Sequence, residues 1–295
     1  MSARVRSVLV TGASTGIGHD GAQAIARAGF RVFGGVRKQK DADALRAKGV
    51  VPVLLDVTDD ESVARATEEI RAAVGDDGLF ALVNNAGIAT GGPIEGVPLD
   101  DVKQAFEVNV LGLLRVTQAM LPLVRQANAR RSTRSEPRAR VVHVGSMSGR
   151  IATPFLGPYC MSKFAVTALA DAMRMELLPF EIEVVVIEPG RVKSEIWEKG
   201  KESARAIRER LSPDVVALYE RFLPGVEQAI AATGDGAIPT THTDRALVRA
   251  LTDERPEAHV PVARGGRAAL FMKSVLPVAR MDTIVKKMMG LGGAP

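Results

Sequence analysis

The 295 residues, 46% of them hydrophobic, allow a sizeable core in one large α/β domain or two small ones. The single cysteine, Cys160, excludes an internal disulfide framework, and no apolar run approaches the roughly 18 residues of a membrane span. The net charge of +5 is unevenly placed: Arg130–Arg140 carries a net +4, Arg264–Gly290 a net +5, and the rest of the chain a net −4.

The location and partners of the protein follow from these features as expectations. A lone cysteine suits a reducing compartment, and no signal peptide is visible before the first apolar run. We therefore expect a cytoplasmic protein. Arg130–Arg140 has no aromatic residue among its five arginines, so we interpret it as a solvated loop and expect no nucleic-acid partner.

Apolar, β-branched runs alternate with segments of helical spacing along most of the chain. The predicted strands are Val5–Val10, Arg31–Val36, Val51–Leu55, Leu79–Val83, Arg140–Val144, Ile182–Ile187 and His259–Val262. The predicted helices between them are Ile17–Ala28, Asp41–Lys48, Glu61–Val74, Asp100–Arg125 and Tyr159–Leu178. Short apolar strands separated by helices predict a parallel sheet that is covered by helices on both faces.

Two stretches interrupt the alternation. Gln126–Pro137 is polar and ends in a proline, which predicts a mobile surface loop. Glu188–Thr243 is long and broken by prolines, and it follows the sixth strand. Because an open α/β sheet binds its ligand at the carboxyl ends of the strands, we expect this insertion to cover the substrate.

A glycine-rich turn, Thr11–Gly18, joins the first strand to the first helix. Gly12 permits a tight turn, Gly16 lets the backbone approach a pyrophosphate, and Gly18 allows close packing of helix on strand. The free amides at the helix N-terminus favour an anion. Its glycine spacing differs from G-x-G-x-x-G, but its position predicts dinucleotide binding rather than a plain turn, with contacts from Gly12, Ser14, Thr15, Gly16, Ile17 and Gly18.

Tyr159 and Lys163 are four residues apart in a predicted helix, and Ser146 lies thirteen residues upstream. Positions i and i+4 share one helix face, so the lysine would lie beside the phenol and lower its pKa. Such a tyrosine could exchange a proton with an alcohol or a carbonyl. Ser148 is a nearby alternative to Ser146, although the offset from Tyr159 favours Ser146.

The order and spacing of six motifs are similar to those of the short-chain dehydrogenase/reductases. The motifs are Thr11–Gly18, Asn84-Asn85-Ala86-Gly87, Asn109, Ser146, Tyr159-x-x-x-Lys163 and Pro189-Gly190. The resemblance covers about Val5 to Ser194, and more loosely the chain to residue 262. It implies one Rossmann-type, doubly wound α/β domain over residues 1–262, with a parallel sheet of about seven strands and the substrate-binding insertion at about 188–243.

The same resemblance implies roles for individual residues. Asn109 would hold a water in a proton relay, and Ser146 and Tyr159 would act on the reacting oxygen. Lys163 would lower the pKa of the tyrosine and hold the hydroxyls of the nicotinamide ribose. Asp56, beside Val57, would accept a hydrogen bond from the adenine amino group, unless it only ends the strand or caps a helix. The remaining implied cofactor contacts are Asn85, Ala86, Gly87, Pro189, Gly190, Val192 and Ser194; the family more often has threonine at the last position.

The choice of cofactor depends on the end of the second strand. Relatives that prefer NAD usually carry an acid at the position of Val36, where it binds the ribose 2′-hydroxyl and repels a 2′-phosphate. This chain has no acid there, and the guanidinium of the next residue, Arg37, is well matched to a phosphate. We therefore expect NADP(H) rather than NAD(H), although some relatives without the acid still use NAD.

Tyr159–Ala165, Leu177–Phe180 and the basic amphipathic extension 263–295 resemble the branch that contains 17β-hydroxysteroid and retinol dehydrogenases. This implies an oxidoreductase acting on a bulky apolar alcohol, ketone or aldehyde, with a pocket wall from Leu211, Val215, Val216, Leu218, Tyr219, Phe222 and Leu223. The alternatives are a non-catalytic NADP(H)-binding regulator and an NAD-dependent dehydrogenase of a small hydroxy compound. We expect a homodimer or homotetramer, and the extension to dock on the substrate entrance or a partner subunit rather than on a membrane.

Overall fold

The computed structural model describes residues 5–131, 133, 136–192, 208–209, 211–220, 222 and 237–291. Within them, seven parallel strands form one sheet in the order β3-β2-β1-β4-β5-β6-β7. The strands are β1 Ser7–Val10, β2 Arg31–Val36, β3 Val51–Leu54, β4 Ala81–Asn84, β5 Arg140–Val144, β6 Glu183–Pro189 and β7 His259–Val262. The predicted α/β fold class is confirmed, and β2, β5 and β7 have the predicted bounds.

Helices cover both faces of this sheet. In chain order they are α1 Gly16–Arg27, α2 Gln39–Arg46, α3 Asp60–Val74, α4 Leu99–Phe106, α5 Leu113–Ala129, α6 Gly157–Leu177, α7 Pro213–Tyr219, α8 Thr240–Thr252, α9 Gly266–Val275 and α10 Val278–Met288. Short 3₁₀ turns at Gly75–Asp77, Met147–Gly149 and Leu178–Phe180 join some of them to the strands. The predicted core helices all form, with ends shifted by a few residues, as frayed helix termini lead one to expect.

The hydrophobic core lies in two layers because successive strand residues point to opposite faces. Val8 and Val10 of β1 pack with α1 and α8 on one face of the sheet. Leu9, between them, packs with α3, α5 and α6 on the other face. Strands buried on both faces need continuous apolar sequence, which is why β1 and β4 have no buried–exposed alternation.

The predicted helix Asp100–Arg125 is a composite of three helical segments. A π-helical segment, Glu107–Gly112, separates α4 from α5. The stretch Leu99–Ala129 is long enough to cross a membrane, and an 18-residue window within it has a mean hydropathy of 1.2. Its apolar side is explained by burial, because Val116, Met120 and Leu123 of α5 pack in the core with no exposed surface.

The arginine-rich segment is held by ion pairs where the structure describes it. Residues 126–129 belong to α5, so the predicted loop Gln126–Pro137 begins later than expected. Arg131 pairs with Glu181 at 3.3 Å, and Arg138 pairs with Glu183 at 2.9 Å. Arg138 keeps the predicted contact with solvent, whereas Arg131 is largely shielded, because tertiary folding places Glu181 and Glu183, just after α6 and at the start of β6, beside them.

Arg140, at the start of β5, is the largest side chain with no exposed surface. Its guanidinium donates hydrogen bonds to the backbone carbonyls of Ala250 and Asp253. These carbonyls belong to the C-terminal end of α8, where backbone acceptors lack helical partners and a cation is favourable. Burial lowers the pKa of Arg140 to about 10, which still leaves it charged at neutral pH.

Replacing Arg140 with methionine should destabilise the fold, because two buried carbonyls would lose their charged donor. We expect the free energy of unfolding to fall by about 2–4 kcal/mol, measured by urea denaturation. The control is Arg138→Met, which breaks ion pairs at the surface and should cost less than about 1 kcal/mol. Equal losses in the two variants would contradict a special role for Arg140.

Candidate active site

A cleft of about 670 Å³ opens at the carboxyl ends of the strands. It runs across the junction of β1 and β4, where the strand order reverses, and such junctions are where open α/β sheets bind ligands. Most of the sequence-predicted cofactor residues line it: Gly12, Ser14, Thr15, Gly16, Ile17, Arg37, Asp56, Val57, Asn85, Ala86, Gly87, Tyr159, Lys163, Pro189, Gly190 and Val192.

The floor of the cleft is held by hydrogen bonds between the ends of β1 and β4. The hydroxyl of Thr11 accepts from the amides of Asn85 and Ala86, each at 3.0 Å. The side-chain amide of Asn85 in turn donates to the carbonyls of Thr11 and Gly12, each at 3.0 Å. Four bonds therefore fix the glycine-rich turn against the segment that follows β4.

Two glycines of the turn are required by this close approach. Gly12 has a positive φ of 64°, and a Cβ there would lie 2.8 Å from the Cα of Ala86. A Cβ on Gly18 would lie 2.2 Å from the side-chain nitrogen of Asn85. Gly18 thus packs behind the turn, as its sequence position suggested, and is not among the residues that line the cleft.

The N-terminus of α1 fits the pyrophosphate of a dinucleotide. Thr15, the N-cap residue, makes no side-chain cap hydrogen bond, and the first turn of the helix contains no acidic residue. Ser14 to Ile17 face the cleft. Backbone amides and the positive end of the helix dipole are therefore available to an anion there.

Three cationic side chains line the end of the cleft beside β2. They are Arg37, Lys38 and Lys40, and all three are exposed to solvent. The sequence analysis singled out Arg37 alone; Lys38 follows it directly and Lys40 comes two residues later, so this cluster of basic residues was a signal that it missed. Asp41 also lines this end, so the local excess of positive charge is partly offset.

Asp56 lies on the wall of the same end and has two roles. Its Oδ1 accepts from the backbone amide and the hydroxyl of Thr58, at 3.0 and 2.7 Å. Burial raises the pKa of Asp56, but these hydrogen bonds and the nearby charge of Arg37 outweigh it, so the pKa is lowered overall. The carboxylate is thus ionised and holds the turn after β3, while its position in the cleft suits the predicted adenine contact.

Asn109 lies in the π-helical segment and is almost fully buried. Its Oδ1 accepts from the amide of Ile88 at 2.8 Å, and its Nδ2 donates to the carbonyl of Ile88 and to the hydroxyl of Ser162, both at 2.9 Å. The side chain therefore ties the segment after β4 to α6. It does not line the cleft, and both of its amide protons are already donated within the protein.

Ser146 and Tyr159 lie together at the other end of the cleft. Ser146 follows β5, its hydroxyl accepts from the amide of Ser148 at 3.0 Å, and it donates to the carbonyl of Pro189 at 3.4 Å. The alternative, Ser148, is not part of the cleft lining. Tyr159 is in the first turn of α6 and is 5% exposed, so its hydroxyl meets little solvent.

Lys163 is one helical turn after Tyr159 and is 4% exposed. Its Nζ donates to the carbonyl of Val144 at 2.9 Å and lies 5.8 Å from the centre of the Tyr159 ring. Burial lowers the pKa of Lys163 from its ordinary 10.5 to about 8. Such a shift corresponds to about 3 kcal/mol against the charged form, and a group held at this cost commonly belongs to a functional site.

The expectation that the pKa of Tyr159 is lowered overall was wrong for this structure. Burial raises the pKa of Tyr159 to about 12, and the hydrogen bond with Ser146 lowers it only in part. The physical reason is that burial acts on both groups and disfavours the charged form of each. At neutral pH the tyrosine is therefore a protonated phenol.

Ser194, the last predicted cofactor contact, lies outside the described residues, as does Leu223 of the predicted pocket wall. The other catalytic candidates are brought together from distant parts of the chain. β5 supplies Ser146, α6 supplies Tyr159 and Lys163, and the π-helical segment places Asn109 behind them. Asn109 Oδ1 and Lys163 Nζ would both lie within 4 Å of a Cβ built on Gly87, so these two side chains flank the same glycine.

An ionic cluster that the sequence analysis missed holds the turn after Ser146. Glu188, at the end of β6 and with no exposed surface, accepts from Arg150 at 2.9 Å and lies 3.0 Å from Nδ1 of His259. The other ring nitrogen of His259 lies 3.0 Å from Asp171 of α6. The cluster thus joins β6, β7 and α6 beneath the catalytic end. The four residues are far apart in sequence, so no local pattern predicts it.

Comparison with known proteins agrees with this geometry. The sequence model described as short chain dehydrogenase matches residues 6–205. The chain is 37% identical over 289 residues to the NADPH-dependent 3-dehydrocapnine reductase of Ornithobacterium rhinotracheale, with 96% of this chain and 97% of that protein covered. It is 34% identical over 287 residues to retinol dehydrogenase 7 of Mus musculus, with 94% and 85% covered.

Two further similarities extend the comparison. The chain is 34% identical over 267 residues to the mitochondrial D-beta-hydroxybutyrate dehydrogenase of Bos taurus, with 85% of this chain and 75% of that protein covered. Among solved structures, a short-chain dehydrogenase from Streptomyces avermitilis is similar over 100% of both chains, with a TM-score of 0.73 and 25% identity.

The cluster around His259 predicts a pH-dependent contribution to stability. The hydrogen bond with Glu188 raises the pKa of His259, burial opposes this, and Asp171 raises it further. A group whose pKa is higher in the folded state adds stability below its unfolded pKa and loses it as the pH rises through the folded value. At acidic pH the free energy of unfolding of the wild type should therefore exceed that of His259→Gln by on the order of 1 kcal/mol. At alkaline pH this difference should be absent.

Urea denaturation of both proteins from pH 5 to pH 9 measures this difference, with pH values chosen about the ordinary histidine pKa of 6.5. The control is His242→Gln, which changes an exposed histidine at the start of α8. A stability difference for His259→Gln that does not change with pH would show that the imidazole is not protonated between the carboxylates.

Proposed function

This chain is a short-chain dehydrogenase/reductase of the retinol dehydrogenase-like branch, and we propose that it uses NADP(H) to interconvert an alcohol and a ketone or aldehyde on a bulky apolar substrate. One observation carries the proposal. Ser146, Tyr159 and Lys163 converge at one end of a cleft whose other end is lined by Arg37, Lys38 and Lys40. The first end suits chemistry at a carbonyl oxygen, and the second suits a phosphate.

The residues of the catalytic end act on an oxygen that becomes negative during reduction. The reduced nicotinamide, when bound, supplies a hydride to the carbonyl carbon. The hydroxyl groups of Ser146 and Tyr159 donate hydrogen bonds to the carbonyl oxygen as its charge grows, and Tyr159 delivers the proton. The oxygen thereby becomes an alcohol hydroxyl, and Tyr159 is left as a phenolate.

The protonation states in the structure favour this direction. A pKa near 12 keeps Tyr159 protonated at neutral pH, so a proton is ready to be donated. The phenolate that remains is disfavoured by burial and needs a nearby cation, which Lys163 provides while its ammonium is protonated. Since the pKa of Lys163 is about 8, this support weakens as the pH rises above neutrality.

Preference for NADP(H) is supported by the cationic end of the cleft. Val36, the position at which an acid would bind the ribose 2′-hydroxyl, is instead a buried apolar residue. Arg37 carries a planar guanidinium that can bind a phosphate through two parallel hydrogen bonds. A 37% identical relative is named as NADPH-dependent, which supports the same choice.

An apolar substrate is supported by the apolar contacts that α7 and Leu211 make with the loop after β4 and with the segment before α6. A Cβ built on Gly96 would lie 2.4 Å from Leu211 and 3.0 Å from Val215, so both apolar side chains press against this loop. Tyr219 contacts the edge of Phe155, with ring centres 6.0 Å apart. Phe155 is four residues before Tyr159 and has a φ of 62°, which is strained for an aromatic residue and typical of functional loops.

The alternative with a specific observation in its favour is an NAD-dependent dehydrogenase of a small hydroxy compound. It is supported by the 34% identity to a D-beta-hydroxybutyrate dehydrogenase. The basic run at Arg37–Lys40 and the apolar wall favour the first proposal. Turnover of NADPH and NADH with small 3-oxo acids and with apolar ketones of increasing length separates the two, and tight NADPH binding without turnover of any of these substrates would indicate a regulator.

Replacing Tyr159 with phenylalanine removes one oxygen atom, the proposed proton donor. We expect kcat for ketone reduction to fall by about 10³-fold or more while the Kd for NADPH changes less than about threefold. Absorbance of the reduced nicotinamide measures the first and fluorescence titration the second. The control is Phe180→Leu, a change to an exposed aromatic residue outside the cleft. Retained turnover in Tyr159→Phe would overturn the mechanism.

Replacing Arg37 with alanine should weaken the use of NADPH selectively. We expect the KM for NADPH to rise about tenfold, as the loss of roughly 1.4 kcal/mol of phosphate binding implies, and the KM for NADH to stay nearly constant. Arg46→Ala removes a comparable charge from α2 outside the cleft and serves as the control. Equal changes in KM for the two cofactors would mean that Arg37 does not bind the 2′-phosphate.

A further inference from the structure

We propose that a second cavity, between α8, β7 and the start of α9, binds a small amphiphilic anion that has a phosphate or carboxylate head and an apolar body. The cavity has a volume of about 410 Å³. This volume is within the range of small-molecule pockets, about 300–1,000 Å³. Among the described residues, none lines both this cavity and the active-site cleft, so the two sites are separate.

The inner wall of the cavity is apolar. Ile238, Ala250 and Val262 are buried and belong to the hydrophobic core. Ala246 of α8 and Val260 of β7 are partly buried and pack against the same core. Because the core fixes these side chains, the wall is formed before any ligand binds, and an apolar body that covers it would displace water from apolar surface.

Arginines from two parts of the chain border the cavity. Arg245 and Arg249 lie one helical turn apart on α8, and Arg264 and Arg267 lie on either side of the first residue of α9. Arg249 and Arg267 each pair with a carboxylate of the lining, at 3.3 and 2.6 Å. Within the described residues, Arg245 and Arg264 make no ion pair. Each of these two guanidinium groups can bind a phosphate or a carboxylate through two parallel hydrogen bonds.

Two further features make the cavity positive. The buried guanidinium of Arg140 donates to the carbonyls of Ala250 and Asp253, which both line the cavity, so a fifth cation lies behind its wall. The first turn of α9 has no acidic residue, and Gly265, its N-cap, has no side chain to cap the amides. The positive end of this helix therefore adds to the field of the arginines, and the lining favours an anion.

The cavity lies behind a wall of the cofactor cleft. Gly190, which lines the cleft, donates from its backbone amide to the carbonyl of Val262 at 3.0 Å. The amide of Ile238 donates to the carbonyl of Arg191 at 2.8 Å, and Ile238 forms a β-bridge with Val192. An anion in the cavity would thus contact residues that hold the wall of the cleft without reaching the reacting oxygen. We therefore assign it as a separate ligand and not as the substrate.

A small ligand fits this surface better than a second copy of the chain. β7 is an edge strand of the sheet and contains Pro261, and a proline on an edge strand hinders the addition of another strand. Two copies meeting here would bring the arginines of one cavity against those of the other, and like charges disfavour such an interface. A small anion supplies the opposite charge and needs no paired strand.

Isothermal titration calorimetry of the full-length protein with octyl phosphate, octanoate, octanol and inorganic phosphate tests the proposal. We expect the two amphiphilic anions to bind, octanol and inorganic phosphate to bind at least about tenfold more weakly, and the affinity for the anions to fall with salt. The anion with the lower Kd identifies the preferred head group. The double variant Arg245→Gln with Arg264→Gln should raise the Kd for both anions by about tenfold or more. Both positions are exposed, so thermal unfolding should be unchanged.

Matched controls separate the cavity from general charge and from the cleft. Arg255→Gln removes an exposed arginine between α8 and β7 that does not line the cavity, and Arg37→Ala removes a cation of the cleft. Neither change should alter the Kd for the anions by more than about twofold.

Several results would overturn the proposal. They are a wild type that binds neither amphiphilic anion, an equal Kd in the wild type and the double variant, and octanol or inorganic phosphate that binds as tightly as octyl phosphate. Light scattering that shows a dimer dissociated by Ala246→Arg would also overturn it, since a second copy would then cover the cavity.

The experiment does not depend on the proposed reaction. Calorimetry of anion binding needs no turnover, and NADPH turnover in the absence of the anions should be the same in the double variant as in the wild type. Loss of anion binding with retained turnover therefore bears on the cavity alone, and absence of turnover with retained anion binding bears on the proposed reaction alone.

Discussion

The hydrogen bonds between Thr11 and Asn85 are the constraint on which the rest of the site depends. They join the ends of β1 and β4, the two neighbouring strands at which the order of the sheet reverses. Because the turn after β1 is held so close to Ala86, only glycine fits at position 12, and the N-terminus of α1 is aimed across the cleft. The proposed nucleotide-binding end and the proposed catalytic end of the cleft both depend on this fixed junction.

Buried polar groups, whose burial costs free energy, hold the proposed catalytic end in place. Asn109 bonds the backbone of Ile88 on one side and Ser162 of α6 on the other, and Ser162 also donates to the carbonyl of Tyr159 at 2.8 Å. The π-helical segment is the backbone distortion that brings Asn109 to this position, and such distortions are frequent at functional sites. A buried polar network with every proton donated is rigid, which suits a site that must present Tyr159 and Lys163 in fixed positions.

The two basic segments of the chain have different physical explanations. In the first, Arg131 and Arg138 pair with Glu181 and Glu183, and Arg140 is buried against the end of α8. In the second, Arg264, Arg280, Lys286 and Lys287 are exposed and make no ion pair within the described residues. Net charge along the sequence was similar for both segments, so it could not distinguish internal neutralisation from exposed, unpaired charge.

How much of the protein could be predicted depended on the range of the interactions involved. The parallel sheet and its helices, the glycine-rich turn, and the pairing of Ser146 with Tyr159 and Lys163 follow from local periodicity and motif spacing. The features that depend on long-range contacts could not be predicted in this way. The raised pKa of Tyr159, the π-helical segment at Asn109 and the cluster of Arg150, Glu188 and His259 arise from burial and from partners far along the chain.

The sequence by itself therefore determined the fold, because hydrophobic spacing and turn chemistry act over a few residues, and its motifs indicated the family and the candidate reacting groups. Only the tertiary structure decided the electrostatic state of those groups and which surfaces stay free, because desolvation and ion pairing depend on what folding brings within a few ångströms.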